Sequence, residues 1–515
     1  MVAKVFSSSL LVMVAACSSP LAHPQKGQPT NPTPATGTAV TTDAPAARAQ
    51  ANSMPTPPPL PREFRGAWVA TVDNIDFPSK PGLPVATLRA ELDAIVGRAV
   101  DLRLNALVFQ VRPAADAFYA SPLEPWSEWL TGKQGKAPAD NFDPLAYLTE
   151  QCHRNGLWLH AWFNPYRASH PGGKSAPAAG HVRQRASKIV RRYGVYDWMD
   201  PGEPLAAKWS LAVIQDVVRR YDIDGVHIDD YFYPYPDDKK TPFPDDASWQ
   251  AYRNNGGKLD RGDWRRHNID EFVQRMYSIV HDDKPWVAVG ISPFGIARPG
   301  MPKGIQAGID QFAQLYADVP KWMEQGWLDY LAPQLYWPID RKAQSFAVLL
   351  PWWRSINPQR RAIWPGLATH KIREGGKDMR ATEMRDEIEL IRAGDRAPGH
   401  VHFSWKHVAA NTPQVQGVLR QLYREVALPP AMPWLNEAAP APVQAQVSGS
   451  QVTWQADART RFVAIQVRDQ NGWRTAGVVG GRTAFELPPG ALTVALTAIG
   501  RTAVASAPTV LPLQR

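Results

Sequence analysis

Cysteine is scarce: Cys17 and Cys152 are the only two among 515 residues. A disulfide framework is thereby excluded, and a chain of this length has to draw its stability from an apolar core. Long hydrophobic runs are missing too, since Leu10 to Ala16 falls well short of the roughly 20 residues that a bilayer-spanning helix needs. No HEXXH motif occurs, and His160, His227 and His370 lie scattered without paired ligand spacing. A metal-dependent deacetylase is therefore disfavoured and no cofactor is expected, although a structural metal on Asp73, Asp229 or Asp230 stays open. No glycine-rich phosphate loop follows the first strand-like run, which argues against a dinucleotide fold. Signatures of zinc fingers, helix-turn-helix units and RNA-binding modules are also lacking. The net charge of +9, with 57 basic against 48 acidic residues, is spread along the chain. It favours an anionic partner other than nucleic acid.

What is present begins with an export pattern. Lys4 precedes the short apolar run, and Val14-Ala15-Ala16-Cys17 resembles a bacterial lipobox, whose cysteine becomes the acylated first residue; an ordinary cleaved signal is the alternative. Ser18 follows in place of an inner-membrane-retaining aspartate, so a Gram-negative host would carry the protein on the periplasmic side of its outer membrane. Lipidation of Cys17 leaves Cys152, which shares a helical spacing with Leu145 and Leu148 and reads as a buried structural thiol. The expected organisation is a signal peptide over 1–16, a disordered Pro-, Ala- and Thr-rich tether over 17–61, a barrel over 62–428 and a small β-domain over 429–515.

The barrel expectation rests on eight apolar segments: Gly66 to Val72, Asn105 to Val111, Leu157 to Phe163, Gly225 to Tyr231, Trp286 to Ile291, Tyr330 to Tyr336, Arg361 to Leu367 and His400 to Trp405. Most are continuous rather than alternating, as parallel strands covered by helices are. Between them lie helical patterns such as Leu88, Leu92, Ile95, Val96 and Ala99. Strand and helix alternating eight times predict an α/β fold, a (β/α)₈ TIM barrel, with a doubly wound open sheet as the alternative. After Pro429 a series of short β-like runs from Val443 to Ile499 predicts a fibronectin type III-like β-sandwich, serving either as a passive cap or as a carbohydrate- or partner-binding module.

Barrel chemistry sits where strands end. Here those ends carry Asp73, Arg112, Trp162, Asn164, Tyr166, Arg167, Gln334, Tyr336, Trp337, His370 and Trp405. Amides for hydroxyls, flat rings for pyranose faces and carboxylates for an anomeric centre suit a sugar. Segment four, Asp224 to Tyr231, is the richest. Alternation puts His227, Asp229 and Tyr231 on the inward face, whereas Asp230 points away unless the strand has already broken. Asp229 is expected as nucleophile or charge stabiliser, with His227 as a positioning and charge-balancing group and Asp230 beside it. The second carboxylate is open among Asp230, Asp73, Asp76, Asp116 and Asp200, because no strand from five to eight ends in one. An adjacent pair such as Asp229 and Asp230 also suits substrate-assisted cleavage of an N-acetylated glycan.

From Glu63 to Trp405 the chain resembles the glycosyl-hydrolase-like family ten, especially its divisome-localised glycosyl hydrolases. The resemblance lies in Arg65 to Asp76, Phe109-Gln110-Val111-Arg112-Pro113, Pro125-Trp126-Ser127, His160 to Arg167, Asp200-Pro201-Gly202, Asp224 to Pro234, Ile291 to Gly295 and Pro333 to Trp337. It implies a TIM barrel acting on peptidoglycan glycan strands stripped of stem peptides, with divisome proteins as further partners. Such strands are polyanions, which Arg112 and Arg167 are suited to hold. A non-catalytic glycan-binding or divisome scaffold lipoprotein is the alternative.

Overall fold

The structure is a computed structural model and describes residues 55–372, 379–380, 382–395, 397–410 and 412–513. The leader, Cys17 and the tether as far as residue 54 lie outside the described residues. Among those described, no helix is long and apolar enough to cross a membrane.

Eight parallel strands make the barrel: β1 (Phe64–Val69), β2 (Ala106–Arg112), β3 (Trp158–Phe163), β4 (Gly225–Ile228), β5 (Ala288–Ile291), β6 (Tyr330–Leu331), β7 in two pieces (Ala362–Ile363 and Gly366–Leu367) and β8 (Gly399–His402). Each pairs with the next, and β8 pairs back onto β1. Closure passes through β7, whose first piece bonds to β6 and whose second bonds to β8. Pro365 separates the pieces because it has no N–H to give to a ladder. Its carbonyl still accepts from Val401 N, so the wall is continuous there. Strands buried on both faces account for the unbroken apolar runs in the sequence.

Period-two alternation sorts each strand into an outer and an inner row. Leu107, Phe109, Leu159, Ala161, Val226, Ile228, Val289 and Ile291 face the surrounding helices. The inner row is unusually aromatic: Phe64, Trp68, Trp158, Trp162, Tyr330 and Trp364, with Phe64 and Trp364 stacked at 3.9 Å. Rings of that size fit only where a neighbouring strand yields space. A Cβ on Gly290 would lie 1.8 Å from the Tyr330 ring, and one on Gly225 would lie 2.6 Å from His160. Glycine is thus required at both inner positions.

Residues 444–512 form two antiparallel sheets. Strands β9 (Gln444–Ser448), β10 (Gln451–Gln455) and β13 (Ala484–Glu486) make one; β11 (Thr460–Asp469), β12 (Gly472–Val479), β14 (Thr493–Gly500) and β15 (Thr509–Pro512) make the other. This sandwich closes the N-terminal mouth of the barrel, where Phe462, Ala464 and Ile499 pack with Phe64, Trp158 and Trp364. Residues 55–61, expected as the end of the free tether, instead lie along this junction. Pro58 O accepts from Gln466 Nε2 at 2.9 Å, and Pro61 O accepts from Leu428 N at 2.9 Å. Cys152 is a buried free thiol in the helix Pro144–Arg154.

Candidate functional site

The C-terminal mouth of the barrel holds a cavity of ≈ 240 Å³. The inner rows end there, so alternation delivers Trp68, Gln110, Trp162, Asp229, Ser292, Gln334 and Phe403 to one space. Loops add Arg167, His170, Tyr231, Tyr235 and Tyr336.

Asp229 and Asp230 are the only carboxylates lining this cavity among the described residues. Strand β4 ends at Ile228. That break meets the condition under which Asp230, which regular alternation would turn outward, reaches the cavity as well. Trp162 Nε1–H donates to Asp229 Oδ2 at 3.0 Å, and Asn164 Nδ2 lies 3.3 Å from both carboxylate oxygens. Burial pushes Asp229 up to about 7; the Arg167 charge opposes this, and the neighbouring Asp230 charge adds to it. Asp230 is also raised by burial, but the Tyr235 hydroxyl donates to it and favours its anion. Two carboxylates side by side do not both ionise easily, so the pair keeps a proton to higher pH than a lone carboxyl would. A carboxyl held near 7 can give up and take back a proton around neutral pH, a chemistry beyond the expected nucleophile or charge stabiliser.

The other candidates for the second carboxylate are engaged elsewhere. Asp76 pins the end of β1 to the segment after β8, accepting from Ala70 N, Ser404 Oγ and Lys406 N, each at 2.8 Å. Asp116 accepts from Ala114 N and Gln134 Nε2, and Asp200 from Ser248 Oγ and Gly202 N. Asp73 lies exposed at the rim with φ 54° and does not line the cavity.

His227 is corrected most sharply. It is fully buried below the cavity and does not line it. Trp68 Nε1–H donates to its Nε2 at 3.1 Å, which leaves the proton on Nδ1, 2.8 Å from Tyr330 Oη. Tyr330 Oη in turn lies 2.8 Å from His160 Nδ1. Burial holds His227 well below the ordinary imidazole range and His160 down to about 4. Both rings are neutral, so His227 balances no charge; its work is to fix the Trp68 indole that floors the cavity.

Arg112 is the second correction. Its guanidinium is completely buried, donating to Glu124 at 2.8 and 2.6 Å and to the carbonyls of Asn164 and Pro165 at 2.6 and 3.1 Å. The β2–β3 register slips between Gln110 and Arg112, which ends the alternation that would have placed the arginine in the cavity. Tyr166 is buried against Phe272. Trp405 belongs to the core, Trp337 packs edge-on against Phe294, and His370 stands behind Tyr336 and Phe403. None of these four lines the cavity. Asn164 acts through Asp229, and its Oδ1 accepts from Arg167 N at 2.9 Å.

Arg167 does line the cavity. Its Nε–H donates to Pro113 O at 2.9 Å, its guanidinium lies 5.1 Å from the Tyr231 ring centroid, and it forms no ion pair among the described residues. It is a buried cation whose charge acts on Asp229 and Asp230 without a direct ion pair among the described residues. Gln110 is similarly incomplete: Oε1 accepts from Thr71 N and Val72 N, while the buried Nε2 has no partner. Trp68, His170, Tyr235 and Phe403 are cavity residues that strand-end reasoning passed over. Inward alternation from Phe64 through Gly66 marks Trp68; His170 sits in an insertion after β3 that carries no periodic signal.

A family model described as Glycosyl hydrolase-like 10 matches residues 63–381. The chain is 37% identical over 395 residues to Glycosyl hydrolase YngK of Bacillus subtilis (strain 168), covering 74% of this chain and 75% of that protein. It is 32% identical over 408 residues to Glycosyl hydrolase DigH of Escherichia coli (strain K12), covering 73% and 89%. Among solved structures, the PgaB (BpsB) glycoside hydrolase domain from Bordetella bronchiseptica aligns with a TM-score of 0.48 at 14% identity, over 72% of this chain and 99% of that one.

Proposed function

Because the chain belongs to the glycosyl hydrolase-like 10 family, we propose that it is a glycoside hydrolase whose proton-transferring group is Asp229 and whose charged partner is Asp230. The observation that carries this reading is the carboxylate pair itself, buried in a cavity lined by Trp162, Tyr231 and Tyr336 with Asp229 brought to about 7. A general acid works best when its pKa lies near the working pH. A binding protein has no need to bury two carboxyl groups side by side.

The substrate is the glycan strand of peptidoglycan after its stem peptides have been removed. Each alternate sugar then bears a free lactyl carboxylate, and Arg167 is the arginine that lines the cavity, with no direct ion pair among the described residues. Gln110 Nε2 supplies a donor for a sugar oxygen. The lipobox-like stretch ending at Cys17 supports a location on the periplasmic side of the outer membrane of a Gram-negative host, within reach of that polymer and of divisome proteins.

Purified protein incubated with intact and with amidase-stripped sacculi, followed by mass spectrometry of the soluble fraction, tests the proposal. Saccharides free of peptide are expected from stripped sacculi alone, and none from the Asp229→Asn variant. Strands that bind without being shortened would identify a glycan-binding scaffold instead.

A further inference from the structure

Two-carboxylate hydrolysis places its groups on opposite sides of the scissile bond, about 5–5.5 Å apart for retention and about 6.5–9.5 Å for inversion. This cavity has no opposing pair among its described residues. Asp229 and Asp230 are consecutive on the loop after β4, and in an eight-stranded barrel the wall facing β4 is built by β8 and β1. That wall presents Phe403, Trp68, Ala70, Val72 and Ile75. None of these can attack an anomeric carbon or take a proton from water.

We infer that the nucleophile is supplied by the substrate: the carbonyl oxygen of the 2-acetamido group on the sugar whose bond is cut. This rests on the hydrolase reading above and names the feature of the sugar that the site requires. The two carboxylates divide the work because their anchors splay them apart. Asp229 leans toward β3, where Trp162 Nε1 and Asn164 Nδ2 hold it. Asp230 leans the other way, toward the Tyr235 hydroxyl and Gln334, whose Nε2 is itself tied to Ser292 O at 2.9 Å.

In the first step the acetamido oxygen forms a bond to C1 as the bond from C1 to the leaving oxygen breaks, and the proton on Asp229 passes to that oxygen. The resulting oxazolinium N–H faces the Asp230 carboxylate, which steadies its positive charge. Water then adds to C1 and gives a proton to Asp229, while the electrons of the ring C–O bond return to the amide. Two inversions at C1 leave its configuration retained. Loss of either carboxylate stops the cycle at a different point, and neither becomes glycosylated.

The test uses the full protein, peptide-free glycan strands, and the same strands chemically deacetylated and re-acylated with trifluoroacetyl groups, whose carbonyl oxygen is a poor nucleophile. Proton NMR during digestion reads the first anomer formed, and intact-protein mass spectrometry after rapid quenching reads any adduct. A retained anomer, no adduct, and turnover of the trifluoroacetylated strands lower by roughly 100-fold, the scale of losing a positioned nucleophile, are expected. An inverted product, equal turnover on both strands, or a glycosyl adduct on Asp229 or Asp230 would overturn the inference while leaving the hydrolase reading intact. Failure to cut unmodified strands would overturn both.

Discussion

At the scale of the residue, the tension in the site is between Asp229 as an acid and Asp229 as a buried charge. A folded carboxyl that keeps its proton up to about 7 releases it near 3.8 once unfolded, so between those values the folded protein binds more protons. Stability contributed by this group is complete below 3.8 and is lost as pH rises through about 7. The loss amounts to at most about 4 kcal/mol. Asp229→Asn removes the ionisation, so the variant should melt with the parent near pH 4 and progressively above it by pH 8, while hydrolysing nothing; coinciding melting curves at both values would show the carboxyl is not strained. Arg167 argues similarly, because it lines the cavity without a direct ion pair among the described residues. Arg167→Ala should lower kcat/KM on stripped anionic strands by roughly 10- to 100-fold, the scale of a charge-assisted hydrogen bond, and leave a neutral chitin oligomer less affected. Because the guanidinium holds Asp229 down, its removal should also move the alkaline limb of the pH profile upward. Equal losses on both substrates would exclude Arg167 as the reader of the lactyl carboxylate.

At the scale of the element, strand β2 shows where sequence reasoning stops. Its apolar run and its inward Gln110 follow from a period of two, as do the inward positions of His227 and Asp229 on β4. The slip after Gln110 does not, because a bulge leaves no trace in hydrophobic pattern. Arg112 therefore looked like a cavity cation and is a clamp instead, joining Glu124 to the Asn164-Pro165 turn that positions Asn164 and Arg167. Breaking a buried pair by removing one partner typically costs about 3–5 kcal/mol. Arg112→Met should destabilise by that order and lower turnover on charged and neutral glycans equally, and the double variant with Glu124→Leu should recover much of the stability in urea titration. Selective loss on the charged glycan would return Arg112 to the binding site. Tautomers are equally illegible: nothing in the spacing of His160, His227 and Tyr330 announces that three strands share one hydrogen-bonded chain below the cavity. Loop residues such as His170 and Tyr235 were missed for a third reason, since only strand ends have a direction that can be read in advance.

At the scale of the whole molecule, the eight-fold alternation and the change of character after Pro429 were readable because each reflects burial repeated over many residues. How the sandwich meets the barrel was not readable, and it decides what the sandwich is for. The described residues from 55 to 513 belong to one compact unit, and the apolar inner row of the barrel continues without interruption into Phe462, Ala464 and Ile499. A charged ring surrounds that contact. Arg461 donates to both oxygens of Asp222 at 2.6 and 2.9 Å and pairs with Asp224 at 3.2 Å, Arg501 donates to Asp222 at 2.6 Å, and Trp434 Nε1 donates to Asp329 at 2.9 Å. Removing the sandwich would expose Phe64, Trp158 and Trp364, each contributing about 1.5–3 kcal/mol through burial, and would take the Arg461 guanidinium from buried Asp224, leaving it only His153 among the described side chains. The total is comparable with the about 5–15 kcal/mol by which a whole domain is stable. A chain ending at Leu428 should therefore be insoluble or molten, with retained far-ultraviolet but lost near-ultraviolet dichroism. Arg461→Ala in the full chain should lower the melting temperature yet leave kcat on stripped strands unchanged, because the site lies at the opposite mouth. A soluble, active barrel without the sandwich would make the C-terminal sheets an independent binding module; loss of both properties together makes them the floor on which the aromatic interior, and through Tyr330, His227 and Trp68 the cavity itself, is stacked.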